Sequence, residues 1–315
     1  VAATVLSLTA SGCVTVHGER EVVPSATRDE AAQALTDFTN AYNKADKAYD
    51  PALDEGRVTG ALGAVNQAGL KARRVQSPDG NARHRPLVLD DAKYTIPKKA
   101  GWPRWFVADT DSDRDAESGP RDTRWLVVFV KSGPDALWEA SYLTVVAPGD
   151  VPEFELDGDG YARTVPVDSD GLAVAPKDLS ERYAGHLGTG KPDAFAPGTH
   201  TTGIRDFRRT HRRAGFSFQY VDQALDTGDF APLGLATKDG GALVFFSTRH
   251  FERQTAAKGL KPELNADVKA LLTGEVKSTL TKERVAGQVA YVPGGAGGKV
   301  EVRGRLQGLV AAKGS

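Results

Sequence analysis

The chain has 315 residues, with 40 Lys and Arg against 41 Asp and Glu and a formal net charge of -1. Binding along a nucleic acid needs many uncompensated cations, so this balance excludes a generally basic nucleic-acid binder. Hydrophobic residues at 40% and charged residues at 26% describe a globular chain, and a single cysteine excludes any internal disulfide.

Residues 1–10, VAATVLSLTA, are apolar or small and carry no charge. That is the character of a secretory apolar segment, too short to cross a bilayer. Ser11 and Gly12 are small residues directly before Cys13, as the narrow cleft of a signal peptidase requires. The arrangement resembles the lipobox of bacterial lipoproteins, with Ala10 where that family prefers Leu. The resemblance implies a diacylglyceryl group on the Cys13 thiol, cleavage just before it, and acylation of the new amino terminus. Residues 1–12 are then a signal-peptide remnant. The chain lacks methionine and a basic leader, so the expectation is that it begins inside its gene product. The alternative is a buried strand with an inert cysteine. Heavy use of Ala, Gly, Arg and Asp resembles the uncharacterised surface lipoproteins of high-GC Gram-positive (actinobacterial, Streptomyces-type) bacteria.

Residues 13–26 have no helical period and contain Pro24, so they read as a tether. Thirteen extended residues reach at most about 45 Å, which keeps the folded part close to the membrane. Thr27 and Glu30 then have capping-box spacing and open an amphipathic helix. Its apolar positions Ala31, Ala34, Leu35, Phe38, Tyr42, Ala45 and Tyr49 follow the 3.6-residue period, and Pro51 interrupts it. An Ala- and Gly-rich helix follows from about Gly56 to Arg74.

The pattern then changes to strands: RPLVLDDAKYTI, PRWFVAD, TRWLVVFVK and LWEASYLTVV are rich in β-branched and aromatic residues. The acidic, Gly- and Pro-containing stretch 151–174 reads as a linker between a first domain, 27–150, and a second, 175–315. The second half repeats the order. PKDLSERYAGHL and TGIRDFRRTHRRAG read as helices, and FSFQYVDQAL, APLGLAT and ALVFFSTRHFERQTA read as strands. A long hairpin across the glycine-rich turn at 294–298 closes the chain. The fold class expected is α+β, built as two tandem units of helices followed by an antiparallel sheet. Such a unit resembles the cone-shaped nuclear transport factor 2-like fold, whose curved sheet closes on helices around a pocket.

Within IRDFRRTHRR, residues Arg205, Arg208, Arg209 and Arg212 fall at helical spacing and would share one face. Guanidinium forks suit phosphate and carboxylate groups. For a tethered protein the nearby anions are phospholipid headgroups and phosphate-bearing wall polymers. The alternative is a solvated face neutralised by the chain's own carboxylates. Trp105, Trp125, Trp138 and Tyr142 could wall an apolar pocket or fill a sheet's core. His250 could line a pocket with Asp222, or be a satisfied core histidine.

DTDSDRDAE offers alternating acids at 109–117, but Arg114 and Pro120 stand where a calcium-binding EF-hand loop wants Gly and Glu. PGGAGGK at 293–299 resembles a P-loop only superficially, because Pro293 and Val300 occupy its Gly and Ser/Thr positions. No histidine pair has zinc-ligand spacing, and no G-x-S-x-G occurs. The expectation is a lipid-anchored extracytoplasmic protein that acts by binding, without a cofactor or metal. The alternatives are an envelope hydrolase or isomerase with a cone-shaped pocket, or a carrier of lipid or another apolar ligand.

Overall fold

The computed structural model describes residues 21–116 and 118–315. A two-residue strand, β1 (Val23–Pro24), comes first and leads into α1 (Arg28–Ala48). The capping box forms as its spacing predicts. The Thr27 hydroxyl accepts from the Glu30 amide at 3.1 Å, and the Glu30 carboxylate accepts from the Thr27 amide at 2.7 Å. The helix ends at Tyr49 in the left-handed conformation, just before Pro51. Residues 51–57 wind into two single turns of 3-10 helix, so α2 (Gly60–Gln76) starts later than the sequence pattern suggests.

The strands β2 (Leu89–Thr95), β3 (Lys98–Lys99), β4 (Arg104–Ser112), β5 (Arg124–Lys131) and β6 (Glu139–Val146) follow. Four of them form an antiparallel sheet in the order β2-β4-β5-β6, while β3 pairs with β1. The last residues of the expected tether are thus pinned to the domain, with Ser25 and Ala26 buried.

Strand alternation sorts the first sheet's side chains onto two buried faces. Phe106, Ala108, Val127 and Phe129 pack against Ala31, Ala34, Leu35 and Phe38 of α1. Phe38 is fully buried, and its truncation to Ala would cost about 3–5 kcal/mol. On the other face, Trp105, Val107, Leu126 and Val128 meet a second sheet.

That second sheet comes after α3 (Leu179–Thr189) and α4 (Thr202–Thr210). Its strands are β7 (Phe216–Leu225), β8 (Leu233–Ala236), β9 (Ala242–Ala256), β10 (Leu272–Thr273), β11 (Thr279–Val292) and β12 (Glu301–Gly314), with α5 (Ala266–Ala270) before β10. The order is β10-β12-β11-β9-β7, with β8 on the first half of β9. β11 and β12 form the long hairpin expected across the glycine-rich turn. Leu243, Phe245, Val285 and Val289 face the first sheet, whereas Val244, Phe246 and Ala290 face Leu179, Tyr183 and Leu187 of α3. Along this axis the layers run α1, first sheet, second sheet, α3. The chain is α+β.

The acidic stretch 151–174 lies along the sheets. Glu155 and Val165 donate amides to Ala236 and Gly234 of β8, and Ala162 donates to Ile96 beside β2. Its acids point to solvent while Ala162 is buried between the sheets, which is why composition alone reads it as a linker.

Candidate functional site

The outer face of the second sheet carries a dense cluster of polar and charged groups. α3 covers the part around Val244 and Phe246, and α4 roofs the part around His250. Between α4 and the sheet lies a cavity of about 470 Å³. Ile204, Phe207 and Arg208 line it from α4, Tyr220 from β7, and His250 and Glu252 from β9. Arg284 of β11 and Arg305 and Gln307 of β12 complete the floor. The register builds this floor directly: Tyr220 pairs with Glu252, Asp222 with His250, and His250 with Arg284.

Asp222 is the hub, with a side chain only 1% exposed. Arg208 reaches down from α4 and donates to both of its oxygens, at 2.6 and 2.8 Å. His250 Nδ1 lies 2.5 Å from the same carboxylate, and its Nε2 lies 2.8 Å from the Thr248 hydroxyl. Burial works to raise the Asp222 carboxyl, but the hydrogen bonds from Arg208 and His250 overcome it and hold the group at about 2. Burial pushes His250 below its ordinary value, and Arg305 adds to this against the pull of Asp222. Beside this hub, Glu252 accepts from Lys282 at 3.0 Å and Arg284 at 3.3 Å.

An Asp–His–hydroxyl line invites comparison with a nucleophilic triad. The burial of the hydroxyl argues against that chemistry. Thr248 has no accessible surface, so no substrate reaches its oxygen. Both nitrogens of His250 are engaged as in a resting triad, but the second faces this buried hydroxyl rather than the cavity.

Of the four arginines expected on one helix face, Arg205, Arg208 and Arg209 line one groove of about 420 Å³ beside α4, and Arg212 is divided from them. α4 ends at Thr210 because His211 leaves helical geometry to stack on Phe207 at 5.0 Å and meet Phe218 at 4.6 Å. Arg212 therefore lies beyond the helix. Arg208 turns inward to Asp222, and Arg209 pairs outside with Asp206 at 3.1 Å. The Arg205 guanidinium packs on Gly190, at the carboxyl end of α3, where exposed carbonyls attract a cation.

The aromatic candidates are likewise divided by the first sheet. Trp105 and Tyr142 lie in the core between the sheets, while Trp138 and Trp125 sit on the α1 side. Of these, Trp125 lines a groove of about 360 Å³ shared by α1, α2 and β12. Three acidic-loop carboxylates also have partners. Asp109 accepts from Arg124 at 2.6 Å, Asp113 accepts from Arg85 at 2.9 Å, and Asp115 accepts from the Thr123 hydroxyl. Among the described residues no cluster of His, Cys, Asp and Glu has the makings of a metal site. No described helix is long and apolar enough to cross a membrane. Cys13 lies outside the described residues.

A family model described as a domain of unknown function, DUF8094, matches residues 22–314. The chain belongs to the DUF8094 family. It is 56% identical to the uncharacterised lipoprotein SCO2278 of Streptomyces coelicolor over 99% of this chain and 93% of the relative. An uncharacterised lipoprotein of Streptomyces avermitilis is 50% identical over the same shares. A second S. coelicolor lipoprotein, SCO6871, is 27% identical over 93% of this chain and 87% of its own. The resemblance to Streptomyces-type lipoproteins is therefore borne out.

In this DUF8094 chain, sequence reasoning brought together Asp222 and His250 but missed Tyr220, Glu252, Arg284 and Arg305. A faint signal existed. Tyr220, Glu252, Arg284 and Arg305 all sit on strands at alternating positions, where half of the side chains face inward.

Proposed function

We propose that this DUF8094 chain is an extracytoplasmic lipoprotein, anchored through acylated Cys13, that works by binding a small ligand in the cavity beneath α4. The single observation that carries the binding reading is that cavity, whose floor is polar and whose roof is one short helix. The cavity's histidine directs its second nitrogen at the fully buried Thr248 hydroxyl, which favours binding over the hydrolase or isomerase alternative. The names of its Streptomyces relatives support the anchor. With β1 docked on β3, the segment from Cys13 to Val22 spans at most about 35 Å, so the cavity works close to the membrane.

The order of two helices followed by a sheet, first α1 and α2, then α3 and α4, supports reading residues 27–150 and 175–315 as tandem units of one cone-like design. The carrier reading draws on the groove beside Trp125, which is lined largely by Leu62, Val65, Leu143, Leu306 and Leu309.

Two measurements test the proposal. Cys13→Ser should move the protein out of the membrane fraction and remove its acyl mass; retention in that fraction without acyl mass on the wild type refutes the anchor. Full-length Cys13→Ser protein should gain thermal stability with at least one class of charged or neutral envelope solute, since a ligand of the folded state stabilises it by mass action. Stabilisation by none, or turnover of the bound solute, refutes the binding role.

A further inference from the structure

Arg305 is the anomaly of the cavity. Burial works against its charge, and no carboxylate hydrogen-bonds to it; its buried Nε has no hydrogen-bond partner among the described residues. Arg208 and Arg284 each have an acidic partner, Asp222 and Glu252, so Arg305 is the lining guanidinium without one. Buried polar atoms in folded proteins are almost always satisfied. The Arg305 guanidinium, on the cavity wall without a carboxylate, defines what would complete it, namely an acceptor bearing negative charge.

We propose that the cavity binds a phosphate oxyanion, either free or on a larger molecule, with Arg305 as the principal charge partner. This deepens the binding role proposed above and rests on it. Arg208 and Arg284 add favourable potential from the roof and floor, while Asp222 and Glu252 keep them extended. The apolar side chains of Ile204 and Phe207 would contact the organic remainder of the ligand. Phe207 is 58% exposed at the mouth, which leaves a way in for such a group. The anion is thus received inside the fold, by a residue on β12, rather than on the outward-facing arginines of α4.

The test is calorimetric titration of full-length Cys13→Ser protein with inorganic phosphate, with glycerol phosphate, and with vesicles containing phosphatidylglycerol. Saturable binding of either soluble phosphate is expected, and Arg305→Gln should weaken it by about tenfold or more, as loss of a charged hydrogen bond does. Arg305→Lys, which keeps the charge but not the planar fork, should weaken it less than Arg305→Gln does. Arg209→Gln should change it less than about twofold, as expected for an exposed ion pair. Vesicle binding without soluble-phosphate binding, lost in Arg305→Gln, would identify a lipid headgroup as the source of the same oxyanion. Should Arg305→Gln fail to fold, Arg305→Lys decides, and an unchanged affinity there overturns the proposal. Vesicle binding that survives Arg305→Gln but is lost in Arg209→Gln overturns the proposal in favour of surface attraction. No binding of any phosphate probe also overturns it; a neutral solute that still stabilises the protein would leave the wider binding role intact.

Discussion

Arg208 on α4 and Asp222 on β7 form a two-pronged ion pair, at 2.6 and 2.8 Å, that ties the cavity roof to its floor. α4 has no buried residue, so this fork and the stacking of Arg208 over Tyr220 at 4.8 Å are its strongest attachments to the sheet. Removing one partner of a buried pair costs about 3–5 kcal/mol, because the other charge stays behind unpaired. Asp222→Asn is therefore expected to lower unfolding free energy by about 3 kcal/mol, measured by urea denaturation at neutral pH. The wild type has an acid signature as well. Asp222 is held at about 2 in the folded state against an ordinary 3.8. Its contribution is complete above the unfolded value and is lost as pH falls from about 4 to 2, amounting to about 2–3 kcal/mol. A variant that keeps wild-type stability at neutral pH would show that the roof is held by something else.

Tyr142 joins the two sheets through its hydroxyl. It is 1% exposed, donates toward the carbonyls of Phe230 at 3.1 Å and Ala231 at 3.3 Å, and accepts from Ser247 at 3.1 Å. Tyr142→Phe keeps the ring in the intersheet core but leaves those groups unsatisfied. A loss of about 1–3 kcal/mol is expected in equilibrium unfolding, with ligand affinity unchanged because Tyr142 does not line the cavity. An unaltered unfolding midpoint would remove the hydroxyl from the account of how the sheets are joined.

Gly60 marks a second junction. It opens α2 with φ +54, and a Cβ there would lie 2.6 Å from the Asp229 carbonyl oxygen and 3.3 Å from that of Ser141. Both obstacles are backbone, so they cannot swing aside as a side chain could. Backbone strain of this kind alone costs about 1–3 kcal/mol, and the clash adds to it. Gly60→Ala should lower the thermal midpoint by several degrees, about 2–4 °C for each kcal/mol in a chain of this size. A midpoint within experimental error of the wild type would mean the residue 228–230 turn moves freely.

Much of this architecture was legible because its causes are local. The Thr27 capping box, the apolar period of α1 and the alternation in β5 each carry their structural instruction within a few residues. α4 was legible in kind but not in extent: nothing in RRTHRR announces that His211 would abandon the helix for Phe207 and Phe218. The sheet-on-sheet contact was hidden because WLVVFV says that both faces are buried without naming what buries them. Arg303 and Arg305 illustrate the limit for the site. Both lie in the same basic strand, yet Arg303 stacks over Tyr291 at 4.6 Å and Arg305 lines the cavity. Their distinction depends on the irregular register of β11 and β12 between Val289 and Ala290, which the local sequence does not display.

Asp54 supplies a pH dependence of the opposite sign. It is buried between α1 and α2, where it accepts from Asn66 and Gln67, each at 2.6 Å. Burial raises its carboxyl to about 6, more than the two amides lower it. A raised acid binds its proton more tightly in the folded state, so the penalty is fully present above pH 6 and is relieved as pH falls toward the unfolded value near 4. The protein should therefore gain stability from this residue between pH 6 and 4, before Asp222 begins to take it away below 4. Asp54→Asn removes the titration, and its amide can still pair if Asn66 turns its oxygen inward. Thermal midpoints of wild type and variant measured across this range should differ by an amount that shrinks as pH falls from 7 through 6 to 4. A difference independent of pH would place the Asp54 carboxyl in its ordinary range and leave the pH dependence to other groups.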